Sequence, residues 1–351
     1  MTAQPKSADI QASTPMAGQK MINLALQGGG SHGAFTWGVL DRLLEDDRIG
    51  FDGVTATSAG GVNAVLLADG LAAGGREGAR KIMRTFWKKM SDTTSASIIA
   101  PSFVDKMNPT FGLDNSPGYV MVDIISRFMS PYQLNPTDAN PMRDLLNEVV
   151  DFERVRAQKV VKLFLSATNV RTGKVAVFPN KEITAEHVLA SACLPFMMRS
   201  PVIDGEAYWD GGFMGNPAIF PVIYACESCD VLLVHLTPTE RTELPTDSRA
   251  ILNRMQEISF NSSLMREMRA IAFVTQMIDE GKLTGGKRMF IHLVEAEDII
   301  RDLAGSSKMN ASWKFLMHLF EIGRERADKW LAANFDKLGA ETSVDLKARY
   351  L

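Results

Sequence analysis

The stretch Gly-Val-Thr-Ala-Thr-Ser-Ala-Gly-Gly at residues 53–61 constrains this chain more than any other part of it. Val54 and Thr55 favour an extended backbone, two glycines end the run, and Val62 to Ala73 suits a helix. Strand, tight turn and helix in that order make a nucleophile elbow, in which a serine sits at a strained corner and the helix N-terminus stabilises developing negative charge. Ser58 is therefore the candidate nucleophile. The usual elbow is G-x-S-x-G, and Ala56 takes its first position here. Small residues flank the serine because bulk would clash where strand and helix nearly touch, and alanine fits there if its φ stays negative. An ordinary strand-to-helix turn of an α/β protein would leave the same trace in these nine residues.

Such a fold needs a large core, and 351 residues, 46% of them hydrophobic, supply one. The net charge of -3 leaves no basic field to hold nucleic acid. No run reaches the roughly 18 apolar residues of a membrane span, and no basic segment followed by an apolar one opens the chain, so a cytoplasmic location is expected. Cys193, Cys226 and Cys229 do not form a disulfide framework. The lone pair Cys226-x-x-Cys229 lacks a second pair or nearby histidines, so no metal or redox site is expected.

Residues 1–20 are rich in Ser, Thr, Gln, Ala and Pro and are expected to be a disordered tail. Met21–Gln27 reads as a buried strand, and Gly28, Gly29, Gly30, Ser31, His32 and Gly33 lead from it into a helix carrying Trp37, Leu40, Leu43 and Leu44. Gly28, Gly30 and Gly33 satisfy the dinucleotide fingerprint G-x-G-x-x-G in the context it requires. A dinucleotide site also wants an acidic residue at the far end of the next strand, whereas Asp52 precedes that strand. The other reading is an oxyanion hole, where glycines let backbone N–H groups face a substrate oxygen. In a parallel sheet this loop and Ser58 meet at one carboxyl edge, which favours the second reading.

Arg76–Met90 reads as a further helix, after which residues 91–140 lose their pattern, with apolar side chains scattered among prolines and glycines and one helix near Tyr119–Met129. That segment can be a cap over a substrate pocket or ordinary core under a long loop. Pro141–Val150 is helical, Val160–Val170 is the strongest strand, and Val175–Phe178 pairs beside it across Arg171-Thr172-Gly173. Glu186–Ala192 is a short helix, and Ala207–Trp209 runs as a strand into Asp210-Gly211-Gly212. Val231–Leu236, Arg249–Gly281, Met289–Val294 and Ser312–Phe335 then alternate strand and helix, the order of a doubly wound α/β domain. Asp210 stands out as one carboxylate in a tight corner, although a turn aspartate bonding its own backbone would look the same.

A serine hydroxyl needs a base within hydrogen-bonding reach. Ser58, Asp210 and either His235 or His292 follow the chain order of a hydrolase triad, but both histidines lie inside strand-like runs. Alternatively Asp210 takes the proton directly, which requires a partly desolvated carboxylate aimed at the serine.

Four blocks now stand in order: Gly28-Gly29-Gly30-Ser31-His32-Gly33, Ala56-Thr57-Ser58-Ala59-Gly60, Ala190-Ser191-Ala192-Cys193-Leu194-Pro195 and Asp210-Gly211-Gly212. Together they resemble the patatin-like phospholipase family, whose G-G-G-x-K/R-G loop, G-x-S-x-G elbow, A-S-x-x-x-P block and D-G-G motif have this order, and the resemblance spans about Met21 to Val294. It implies a three-layer α/β/α sandwich with a mostly parallel sheet, a Ser58–Asp210 dyad, and an oxyanion hole from the backbone of Gly28, Gly29 and Gly30. Ser31, His32, Gly33, Ala59, Gly60, Gly211 and Gly212 would support these groups. The implied reaction is acyl-ester hydrolysis on lipids through an acyl-enzyme, with no metal, cofactor or nucleotide. The organisation expected is a tail (1–20), a catalytic domain (21–300) with a cap at 91–140, and a helical extension (301–351). Its partners would be a lipid or other acyl-ester substrate and a transient lipid surface, without nucleic acid. His32 stands where the family has Arg or Lys, and Ala56 replaces a glycine. Other readings are a triad esterase or storage-polyester depolymerase, a catalytically impaired binding homologue, and a nucleotide-dependent oxidoreductase. Phospholipid, glyceride, polyester and thioester all remain open as acyl donors.

Overall fold

The apolar run after the tail becomes β1 (Lys20–Leu26), whose last five residues are out of water, as a strand covered on both faces requires. The structure is a computed structural model that describes residues 18–95 and 97–350. The expected tail thus lies mostly outside the described residues, and Lys20 already belongs to β1. The chain continues through α1 (Gly33–Leu44), β2 (Ile49–Ala56) and α2 (Ala59–Ser95). Gly74 and Gly75 leave helical angles inside α2, so the run consists of two helices meeting at a kink, as the sequence predicts.

The loosely patterned segment holds α3 (Phe103–Met107), α4 (Pro117–Ser126) and α5 (Pro131–Leu134). The sequence pattern predicts only the middle one, because its neighbours are too short to show periodicity and are set by capping boxes at Ser102 and Ser130. Then come α6 (Pro141–Val149), α7 (Phe152–Ala157), β3 (Lys162–Asn169), β4 (Val175–Pro179) and α8 (Ala185–Ser191). The hairpin β5 (Val202–Ile203) and β6 (Glu206–Asp210) precedes α9 (Phe220–Ala225), β7 (Asp230–His235) and the long α10 (Ser248–Asp279). The chain closes with β8 (Phe290–Glu295), α11 (Glu297–Ile300), α12 (Trp313–Asn334) and α13 (Leu346–Tyr350).

The sheet order is β5-β6-β3-β2-β1-β7-β8, with β4 paired to β3. β3, β2, β1, β7 and β8 run parallel, while β4 and β6 lie antiparallel to β3. Alternate residues of the central strands face opposite cores. Leu24, Leu26, Leu232 and Val234 pack with α1, α2 and α12, whereas Ala25, Val231 and Leu233 pack with α9 and α10. The three layers expected from the sequence are present, with a mostly parallel sheet at the centre. Phe315, Leu319 and Trp330 of α12 belong to the larger core.

Candidate active site

Parallel register brings Leu26, Ala56 and Leu165 side by side at the carboxyl edge of the sheet. Ser58, two residues beyond this line, has φ 55°, a left-handed conformation that costs about 1 kcal/mol or more in a non-glycine residue. Its neighbours hold it there. Thr57 donates its N–H to Leu26 O and its hydroxyl to Gly215 O at 2.6 Å, and Ser58 N–H donates to Ser191 Oγ at 2.9 Å. A Cβ at Gly60 would overlap the Leu26 carbonyl oxygen, so helix and strand approach closely only because that position is glycine. Ala56 keeps a negative φ as the last residue of β2, and the departure from G-x-S-x-G is sterically ordinary. Ala56→Gly is accordingly expected to change ester hydrolysis by less than about twofold and to lower the melting temperature slightly, since glycine weakens a strand interior.

The glycine loop is suspended from the two neighbouring segments. Gln27 Oε1 accepts from the N–H groups of Leu236 and Thr237, and its Nε2 donates to Asn216 O. Gly28 N–H donates to Asn216 Oδ1 at 2.8 Å, so this amide already has an acceptor, unlike the expectation that all three glycines would face the substrate. Gly28 instead provides room, since a Cβ there would lie 2.7 Å from Ser58 Cβ. Gly29 and Gly30 have N–H groups with no acceptor among the described residues. Gly30 sits at φ 59° against the Lys308 carbonyl, which a Cβ would overlap.

Ser31 and His32 are buried in the single 3-10 turn after the glycines. His32 Nε2 lies 2.7 Å from Ser307 Oγ, and burial, reinforced by Lys308, lowers its pKa to about 3. The ring is neutral and supplies no fixed charge. Asn63 ties the end of the loop to α2, donating to Gly33 O and accepting from Trp87 Nε1. A Cβ on Gly33 would sit 2.8 Å from that of Ala59, which places loop and elbow in contact.

Asp210 ends β6 opposite Ala167, and its N–H donates to Cys193 O at 2.8 Å. The carboxylate accepts from Gly212 N–H at 2.7 Å. Gly211 packs against the Ser166 carbonyl and Gly212 against the Phe260 ring, with no space for a side chain at either. Only 1% of Asp210 is exposed, and burial raises its pKa to about 7 against the opposing pull of Gly212 N–H and the Ser58 hydroxyl. Asp210 is thus a buried carboxylate that titrates near neutrality, and a Cβ on its neighbour Gly211 would lie 3.0 Å from Thr57 Cγ2, next to Ser58.

The histidines of a triad lie elsewhere. His292 bonds Asp230, at the opposite end of β7, at 2.9 Å, while His187 bonds Thr184. His235 is buried at the end of β7 near Glu295 and Glu297, and no histidine is among the groups that shift Asp210. His235, Glu295 and Glu297 come within 4.8 Å of one another, the spacing of a metal site, but the Arg349 guanidinium already bridges the two glutamates. Asp52, the acid nearest a dinucleotide pattern, is taken by the N–H groups of Glu227 and Ser228. Burial pushes the Cys226 thiol up to about 12, so it is held as the thiol.

Residues 24–225, more than half of the chain, match the family described as Patatin-like phospholipase. The chain belongs to this family. The patatin-like match contains Ser58, the glycine loop and Asp210 and stops before α10. Among solved structures the chain is similar to VipD from Legionella pneumophila, at 14% identity and a TM-score of 0.42, covering 99% of this chain and 78% of that one. It is also similar to ExoU in the heterodimeric ExoU–SpcU complex from the type III secretion system of Pseudomonas aeruginosa (13% identity, TM-score 0.36, 92% and 52% covered). The type III effector protein ExoU itself gives 15% identity and a TM-score of 0.32, with 90% and 53% covered, so the chain spans about half the length of ExoU. No curated protein matched.

Sequence reasoning assigned no role to Ser191, Asn216, Ser307 or Lys308. Ser191 lay inside a quoted block and Asn216 soon after Asp210-Gly211-Gly212, whereas nothing in the sequence connects residues 307 and 308 to the glycine loop. Asn216 is fully buried and its Nδ2 has no acceptor, so its Oδ1 contact with Gly28 stands alone in fixing the amide. Asn216→Ala would leave the Gly28 N–H without its acceptor, a cost of about 1–3 kcal/mol. Ester hydrolysis is expected to fall about tenfold or more at an unchanged circular dichroism spectrum.

Proposed function

We propose that this patatin-like protein is a serine acyl hydrolase that cleaves lipid esters with Ser58 and Asp210. The observation that carries this reading is a buried carboxylate, Asp210, that titrates near neutrality, with its neighbour Gly211 packed on Thr57 next to the left-handed Ser58. Ser58 Oγ attacks the ester carbonyl as its proton passes to Asp210, and the tetrahedral oxyanion accepts from the N–H groups of Gly29 and Gly30. Collapse expels the alcohol, which takes the proton back from Asp210. Water, deprotonated by the same carboxylate, then attacks the acyl-Ser58 ester, releasing the fatty acid and regenerating the serine. In this reading residues 21–300 form the catalytic domain, 91–140 cap it and 301–351 extend it. No helix among the described residues is long and apolar enough to cross a membrane.

A fluorophosphonate probe tests the reading. Wild-type protein is expected to be labelled at Ser58, with the adduct located by peptide mass spectrometry, and Ser58→Ala to remain unlabelled. An unlabelled wild type would indicate a binding homologue with an inert elbow. His235→Ala and His292→Ala are expected to retain hydrolysis of a short p-nitrophenyl ester, and loss of activity in either would favour a triad.

A further inference from the structure

Besides scattered positions such as Val202, Tyr224 and Phe273, large apolar side chains are exposed in three segments: Phe103 (78%), Met107 (73%) and Phe128 (83%) in the 97–134 stretch, Phe196 (75%) after the Ala-Ser block, and Leu244 (85%) just before α10 with Met255 (61%) in its first turns. These segments are joined. Arg249 of α10 pairs with Asp114 and Asp123 and lies over the Tyr119 ring, while Tyr132 accepts the Ser200 N–H and stacks under Arg199. Each also reaches the site. In the 97–134 stretch Thr110 O accepts from Ala304 N–H and Phe111 O from Asn310 Nδ2, both in the segment whose Lys308 carbonyl walls Gly30. Phe196 follows Cys193, whose carbonyl holds Asp210, and α10 continues from Met255 to Phe260 against Gly212. So much apolar exposure in segments that run on to a site marks a surface built to be covered.

The charges on this surface identify what covers it. Asp114 and Asp123 are neutralised by Arg249 and Arg127, and buried Asp105 accepts from Ser102 and Asn115. Over residues 97–134, 196–200 and 244–257 together, five acidic residues balance five basic ones, leaving no net charge. Attraction to an anionic bilayer requires unpaired basic residues near the surface. Here Lys106 alone, among the described charges of residues 97–134, has no carboxylate partner.

We propose that this face docks the enzyme on an uncharged lipid surface, so that acyl chains pass from that phase to Ser58. The proposal rests on the lipid-ester reading of the site. The test is flotation of full-length Ser58→Ala protein with phosphatidylcholine-coated triolein droplets and with phosphatidylserine-containing vesicles, at low and high salt. Binding to the droplets is expected to be undiminished by salt and no tighter on the anionic vesicles. The exposed-site triple variant Phe103→Ser, Met107→Ser, Phe128→Ser should bind about 100-fold more weakly, given the transfer free energy of such side chains. In the otherwise wild-type chain, that triple variant should keep full hydrolysis of water-soluble p-nitrophenyl butyrate. Undiminished binding by the variant, binding that needs anionic lipid and fails in salt, or a wild-type dimer that the variant dissociates would each overturn the proposal. Absence of p-nitrophenyl butyrate hydrolysis in the wild type would instead refute the hydrolase reading, because flotation uses the inactive serine variant.

Discussion

Replacing Asp210 by Asn is expected to abolish ester hydrolysis while making the protein more stable at alkaline pH. Loss of a general base costs about 10²- to 10⁴-fold in rate. The amide oxygen of Asn can still accept from Gly212 N–H, so the corner remains intact. The stability effect follows from burial. The folded-state pKa of Asp210 is raised to about 7, so the folded protein carries a penalty for ionising this group. The penalty is absent below about pH 4, where the group is neutral in both states, develops as pH rises through about 7, and reaches up to about 4 kcal/mol for a separation of about three pH units. Denaturation midpoints of Asp210→Asn and wild type should therefore coincide below about pH 4, diverge as pH rises from about 4 to 7, and stay apart by a constant margin, with the variant more stable, above about pH 7. In the wild type the same ionisation should appear as a rise of kcat/KM with pH, half-complete near pH 7. A pH-independent rate, or an active Asn variant, would remove Asp210 from the role of base.

The second large effect is expected at Gly60. An Ala Cβ there would overlap Leu26 O and lie 2.7 Å from Gln27 O, both on the backbone of the central strand and the glycine loop. Neither can move without carrying the Gly28 amide and its Asn216 contact along. Overpacking of this kind costs about 1–3 kcal/mol, and displacing a nucleophile by about 1 Å can cost about 100-fold in turnover. Gly60→Ala should therefore lose both stability and rate, measured by thermal melting and p-nitrophenyl ester hydrolysis. Together with the tolerated change expected for Ala56→Gly, it would show that the two glycine positions of the elbow pattern do different physical jobs. One marks the end of a strand, where a methyl group is accommodated, and the other marks a helix turn pressed against a neighbouring backbone.

The elements that could be read from the sequence were those whose residues repeat. The buried strands, α1, α10 and α12 each carry enough apolar periodicity to be placed within a few residues. Short helices such as α3 and α5 could not, because one turn contains no period and its stability comes from a capping side chain. The candidate site divides in the same way. Ser58, the glycines and Asp210 stand in local motifs, whereas Asn216 reaches Gly28 across 188 residues and Ser307 reaches His32 across 275. Such contacts are set by the crossing of distant elements, and a motif cannot encode them. Gly28 illustrates the limit: its motif position promised a free amide, and a side chain from beyond Asp210 occupies it.

The packing of residues 307 and 308 on the glycine loop bears on where this protein can be cut. Every recognisable motif ends by Gly212, yet the wall that holds Gly30 in its left-handed turn and the hydroxyl that receives His32 arrive almost a hundred residues later. A fragment trimmed to the family-matching region would keep all of its signature residues and lose the scaffold that shapes them. Recombinant boundaries, domain fusions and split-protein designs based on this chain must therefore extend through the α12 region, because the smallest recognisable unit is shorter than the smallest complete one.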